Sequence, residues 1–180
     1  RGDALDLPLR NREWGSFDLV HARFLLEHLD RPQDAVVQMV RAVRPGGRIL
    51  LEDDDHDVLT LYPPAHRFTT LWRAYMRSFQ VLGNDARIDR KLPALLAQPG
   101  VTPIRNTWIF FGSCAGHPRF ALFLENLQGV VATARATLLS HRLISGRAYR
   151  DGLEDLRRWG GRPDAALFYA IAWAEGRRPR

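Results

Sequence analysis

The sequence predicts an α/β fold, and three observations carry that expectation. An apolar run at residues 17–22, an amphipathic run at 31–44 and a second apolar run at 48–52 follow one another with short connections, the order of a βαβ unit. Longer stretches of helical period then alternate with strand-like ones. Residues 165–174, rich in aromatic and branched side chains, read as a closing strand behind a helical insertion.

Phe17 to Ala22 contains few polar residues, as a strand buried on both faces of a parallel sheet would. For residues 31–44, Asp30 reads as the N-cap, Pro32 falls in the first turn and Gln33 takes the third place of a capping box. Val36, Met39, Val40 and Val43 make one apolar stripe, and Pro45-Gly46-Gly47 reads as its stop. After the break at Tyr62-Pro63-Pro64 a long helix is expected to bury Phe68, Leu71, Trp72, Tyr75, Phe79 and Leu82. A short helix at 90–98 and a β-rich segment at 104–111 follow. From His117 one strong helix carries Phe120, Phe123, Leu124, Leu127, Val131, Ala134 and Leu138, and Ser145 caps another with Tyr149, Leu153 and Leu156. No repeat or low-complexity linker divides the chain, so a single domain over 1–180 is expected.

The bulk composition narrows the function classes. The chain has 26 basic and 20 acidic residues, a net charge of +6, yet its basic residues are interleaved with acids rather than gathered in a block, which argues against nucleic-acid binding. The lone cysteine, Cys114, rules out an intramolecular disulfide and fits a reducing, cytoplasmic setting. The longest apolar run, 165–174, is well short of the roughly 20 residues that cross a bilayer as a helix, so no membrane partner is expected.

The succession Gly2-Asp3-Ala4, Asp6-Leu7-Pro8, Phe17-Asp18-Leu19-Val20-His21-Ala22, Leu26-Glu27-His28-Leu29 and Arg44-Pro45-Gly46-Gly47 resembles the second half of the cofactor-binding domain of the class I (Rossmann-like) S-adenosylmethionine-dependent methyltransferases. The resemblance implies a mostly parallel sheet with an antiparallel last strand, of which this chain supplies the later strands. It also implies that the family's first glycine loop lies upstream of Arg1, so the chain as given would be N-terminally truncated and inactive alone. Residues 1–60 would be the remaining cofactor-binding part, and 61–100 with 117–160 a helical cap on the substrate side. S-adenosylmethionine is the implied cofactor: Gly2, Asp3 and Ala4 fall where the family meets the adenine, and His21, Ala22 and Arg23 where it meets the methionine part. Ligands bind outside strand ends in open α/β sheets, which suits the second group. His28 would stand near the transferred methyl.

Residues 52–57 place five carboxylates around His56 at the end of a strand. Such a group could hold a hard cation or act as a base. The magnesium-dependent members of the family place an acid at the end of the preceding strand, where this chain has His21 and Arg23, so no metal is expected. His28 and His56 are the candidate catalytic bases, and Asp54, Asp55 and Tyr62 the candidate contacts to the methyl acceptor. The resulting expectation is methyl transfer to oxygen or nitrogen of a small molecule. The competing expectation is a catalytically silent interaction module. For a chain without its upstream strand, self-association through the bare edge of residues 17–22 is also expected.

Overall fold

The computed structural model describes residues 2–180. The elements run β1 (Phe17–Arg23), α1 (Pro32–Ala42), β2 (Val43–Asp54), β3 (Thr60–Tyr62), α2 (His66–Val81), α3 (Leu92–Ala97), β4 (Ile104–Cys114), α4 (Phe120–Thr133), α5 (Arg135–Ser140), α6 (Gly146–Gly160) and β5 (Ala166–Arg177). Strand order is β1-β2-β5-β3, with β4 also paired to β5. This is the mixed α/β architecture expected, with a helical insertion between β4 and an antiparallel last strand. The chain divides into two compact units, one made of Arg1–Asp55, Arg87–Ile109 and Ile171–Arg180, the other of His56–Ala86 and Phe110–Ala170.

In the first unit β1 lies parallel to β2, with Leu19 beside Arg48 and Arg23 beside Glu52. Antiparallel β5 lies on the other edge of β2, with Arg48 beside Arg177 and Asp54 beside Ile171. The buried row of β2 is Ile49, Leu51 and Asp53, alternating with more exposed neighbours as the strand period of two requires. Against this row and β1 pack Val36, Met39 and Val40 of α1, and Leu92, Leu95 and Leu96 of α3.

The first unit departs from the sequence reading in three ways. Among the described residues β1 pairs on one edge only, so it is mostly exposed rather than buried on both faces: Phe17 and Leu19 are 39% and 48% accessible, and only Ala22 is buried. Asp30 does not cap α1. Arg31 holds the N-cap position without a side-chain cap, Arg31 pairs with Asp34 at 3.1 Å, and the Gln33 amide donates to the carbonyl of Leu95 at 3.2 Å. The helix also ends at Ala42, before the glycines. Pro45 excludes the helical region for Arg44, and residue 43 onward is already strand. Gly47 is needed inside that strand, since a Cβ there would lie 3.0 Å from the carbonyl oxygen of Asp18 on β1.

The second unit is built on the packing of α2 against α6. Phe68, Leu71, Trp72, Tyr75 and Phe79 are buried as the helical period requires, whereas Leu82 lies beyond the helix and is 58% exposed. The acid Asp155 of α6 caps the start of α2, accepting from the backbone N–H groups of Arg67 at 2.9 Å and Phe68 at 3.2 Å. Ser145 caps α6 as expected, its hydroxyl accepting from the Ala148 N–H at 3.1 Å. The expected single helix after His117 is two, because Ala134 serves as both the C-cap of α4 and the N-cap of α5. Each then buries its own residues, Phe120, Leu127 and Val131 on the first and Leu138 on the second.

Gly152 sets how closely α2 and α6 approach. A Cβ at this position would fall 2.8 Å from the Leu71 Cβ and 3.1 Å from the Arg67 carbonyl oxygen, both near the backbone and unable to swing away. Gly152→Ala is therefore expected to destabilise the protein by about 1–3 kcal/mol, the usual cost of overpacking, even though alanine is the better helix former. Urea unfolding followed by tryptophan fluorescence measures this, and an unchanged or raised midpoint would contradict the packing described.

Candidate functional site

In the first unit the candidate site gathers at the C-terminal ends of β1 and β2. Glu52 draws in two side chains of β1: its carboxylate lies 3.8 Å from His21 Nε2 and 3.3 Å from Arg23 Nε. Ala22 between them is buried, and the Arg23 guanidinium sits 4.7 Å over the exposed ring of Phe24. The chain then turns sharply, with Phe24 at φ +50° and its N–H donating to the carbonyl of Glu52 at 3.0 Å. Leu26-Glu27-His28 form a single 3-10 turn. Leu26 and Glu27 are buried, while His28 is exposed and its Nε2 lies 3.5 Å from the Glu27 carboxylate.

The acids at the end of β2 and just beyond it are sorted by their surroundings. Asp53 is fully buried, and its Oδ2 accepts from the Leu26 N–H at 2.8 Å. Burial, and then the charge of Glu27, push its carboxyl from the ordinary 3.8 up to about 7, although the Leu26 and Asp54 N–H groups pull the other way. Asp54 is half-buried. Asp55 is fully buried, and its Oδ2 lies 2.6 Å from Nε of Arg90 in a charge-assisted bond. Beside this pair stands Asp89, 2% exposed, with neither carboxylate oxygen hydrogen-bonded among the described residues. Burial and then the neighbouring Asp55 raise its carboxyl to about 7.

The remaining expected cofactor contacts lie near the start of the chain. Asp3 is exposed, its Oδ1 accepting from the Leu5 N–H at 2.9 Å in a local turn. Gly2 is crowded by the Pro8 ring, whose Cγ would lie 2.4 Å from an added Cβ, and Ala4 packs against the core of this unit.

In the second unit His56 is buried among aromatic rings. Its ring centroid lies 5.6, 5.4 and 5.1 Å from those of Trp72, Tyr75 and Phe79. The His56 carbonyl accepts from Trp72 Nε1 at 2.7 Å, and its Nδ1 lies 2.9 Å from the Tyr169 hydroxyl. Tyr169 in turn lines an open cavity of about 370 Å³ with Val58, Thr60, Phe110, Phe111, Phe168 and Ala170. Tyr62 is 64% exposed on β3. His56 is a candidate from the sequence and Asp53 falls within its acidic run, but Tyr169, Asp89 and Arg90 carry no such signal. Tyr169 sits in an apolar run that reads as strand core, and the others take their meaning from partners 27 or more residues away.

Comparison with known proteins agrees with this architecture. Residues 1–51 match the family model described as a methyltransferase domain. The chain is 33% identical over 151 residues to an uncharacterized 37.1 kDa protein in transposon TN4556 of Streptomyces fradiae, covering 79% of this chain and 41% of that one. It is 28% identical over 155 residues to the tRNA U34 carboxymethyltransferase of Hahella chejuensis, covering 76% and 45%. To the demethylmenaquinone methyltransferase of Renibacterium salmoninarum it is 31% identical over 98 residues, covering 54% and 38%. The chain thus spans less than half the length of these curated relatives. Among solved structures, the YcgJ protein of a Bacillus superposes with a TM-score of 0.54 at 14% identity, covering 99% of this chain and 70% of that one. Haemonchus contortus phosphoethanolamine N-methyltransferase 2, solved with S-adenosylhomocysteine, gives 0.50 at 18% identity, covering 99% and 36%. The chain has the Rossmann-like fold of the class I methyltransferases, and its first 51 residues carry that domain's sequence pattern.

No helix among the described residues is long and apolar enough to cross a membrane. The raised Asp89 carboxyl has a thermodynamic consequence. An acid whose folded value of about 7 exceeds its ordinary 3.8 holds extra protons in the native state between those values, so its contribution to stability is greatest below about 4 and is lost as the pH rises through 7. Asp89→Asn, which keeps the shape without the charge, is expected to be more stable than the parent at pH 8, with the gap narrowing towards pH 5. Thermal melts across that range check the sign, and a gap that widens on acidification would refute it.

Proposed function

We propose that the chain is part of a methyltransferase that uses S-adenosylmethionine and methylates a small organic acceptor at oxygen or nitrogen. The observation that carries this reading is the β1-turn-β2 arrangement, in which Leu26-Glu27-His28 folds over the acidic end of β2 within the stretch that matches the methyltransferase domain. Relatives bearing methyltransferase names and a similar structure solved with S-adenosylhomocysteine support the cofactor.

In this reading the first unit binds the cofactor. Asp3 accepts from the adenine amino group beside Gly2 and Ala4, while His21, Ala22 and Arg23 border the methionine part. His28, exposed and adjacent to Glu27, stands where a base can reach the reacting group, and Asp54 offers a carboxylate to the acceptor. The sulfonium already makes the methyl electrophilic, so alignment is the protein's main task, worth up to roughly 7–11 kcal/mol in model reactions. Within the second unit, an aromatic cavity suits an apolar ligand, and Tyr62 is exposed on β3. His56 is too enclosed to touch a ligand itself. A proton released in the cavity would reach its Nδ1 through the Tyr169 hydroxyl. Asp55 is engaged by Arg90, which holds the strand end in place.

Calorimetry of the full-length gene product with S-adenosylmethionine, followed by transfer of a labelled methyl group to candidate acceptors, tests the proposal. Asp3→Ala is expected to weaken cofactor binding by about 1–3 kcal/mol, because the adenine amine loses its acceptor. Tyr169→Phe and His28→Ala are expected to lower turnover while leaving cofactor affinity intact, and turnover should survive chelation with EDTA. Absence of cofactor binding, or transfer to tRNA in preference to small molecules, would overturn the reading.

A further inference from the structure

The β2 row Ile49-Leu51-Asp53 places a carboxyl where its two predecessors place core side chains, and Asp53 is as buried as they are. A buried polar group is costly unless it is hydrogen-bonded. The partner it finds is the backbone N–H of Leu26, 27 residues earlier, at 2.8 Å; the other oxygen accepts from its own neighbour, the Asp54 N–H, at 3.3 Å. Leu26 opens the 3-10 turn, where an N–H has no partner within the turn itself. The same turn is tied to β2 at its beginning by the Phe24 N–H to Glu52 carbonyl bond, and Leu26 is 1% exposed. Two successive residues of β2 therefore hold the turn, one by backbone and one by side chain.

We propose that Asp53 is a positioning residue, a clamp that fixes the turn bearing Glu27 and His28 against the end of β2, and that through this turn it positions the adjoining His21–Arg23 segment, to which the cofactor's methionine part is assigned. The second part rests on the methyltransferase reading, whereas the first stands on the fold alone. Glu27 faces Asp53 from the turn, Asp54 adjoins it on its own strand, and His28 lies beyond Glu27. His21 and Arg23 of β1 are turned to Glu52, while Asp89 and Arg90 stand by Asp55. Burial, and then the charge of Glu27, raise the Asp53 carboxyl to about 7. Asparagine keeps an oxygen for the Leu26 N–H but cannot titrate. Leucine fills the place without accepting.

The test compares Asp53→Asn and Asp53→Leu with the parent by amide hydrogen exchange and by titration with S-adenosylmethionine. The Leu26 amide is expected to exchange at least 10-fold faster in the leucine variant and at the parental rate in the asparagine variant, with cofactor affinity falling about 10-fold in the first and unchanged in the second. Unaltered exchange at Leu26 in the leucine variant would overturn the clamp, and unaltered affinity would overturn its role in binding. Should the leucine variant fail to fold, the Leu26 amide shift decides. It is expected to titrate with an inflection near pH 7 in the parent and without one in the asparagine variant, and a flat parental curve or a surviving inflection would refute the proposal. If the parent binds no S-adenosylmethionine, the functional reading falls, while the exchange data still judge the clamp.

Discussion

Strand β2 has hydrogen-bonded neighbours on both edges, β1 parallel on one side and β5 antiparallel on the other, and the first unit is organised by that constraint. From Gly47 onward one row of its side chains is buried, and that row is apolar as far as Leu51. At its C-terminal end the row becomes Asp53, still buried, and Asp55, the first residue beyond the strand, is buried as well. Each acid must therefore find a partner or keep its proton. Asp55 takes the guanidinium of Arg90, and Asp53 takes a backbone N–H and a raised carboxyl value. The chemistry at this edge follows from the strand continuing as sheet beyond the point where its sequence remains hydrophobic.

The parts of the fold legible in the sequence are those set by local period. The stripe of α1 and the Phe68 to Phe79 face of α2 repeat every three or four residues, so each helix shows its buried side whatever it packs on. Boundaries were less legible where two signals competed. Pro45 and the glycines after it read as a helix stop, but a glycine at 47 also lets one strand approach another, and here it lies inside a strand. The break at Ala134 carries no proline, glycine or polar cap, and the apolar period runs straight through it, so nothing local marked it. Composition alone suggests burial on both faces of β1, whereas exposure depends on how many neighbours a strand has.

Site residues divide along the same line. His21, Arg23, His28 and the acids after Leu51 stand at the ends of strands or in turns, places where the order of elements alone puts functional groups in an α/β sheet. What those groups do to one another was not legible. A run of five carboxylates reads as one acidic group able to hold a cation or act as a base, but the alternation of a strand sends its members to opposite faces. Glu52 engages His21 and Arg23, Asp53 engages Leu26, and Asp55 engages Arg90. Three neighbouring acids thus act in three unrelated contacts, each fixed by a residue distant in sequence.

The second unit applies the same rule to an imidazole. His56 is enclosed by Trp72, Tyr75 and Phe79, and a polar ring in such a place must hydrogen-bond to be tolerated. Tyr169 provides the hydroxyl to Nδ1, and Trp72 ties down the backbone through the His56 carbonyl. One bond engages the ring and the other the backbone of the same residue. Tyr169 belongs both to this buried pair and to the wall of the aromatic cavity, with Phe111 edge-on to it at 5.4 Å. That connection, rather than the histidine by itself, gives the cavity its polar handle.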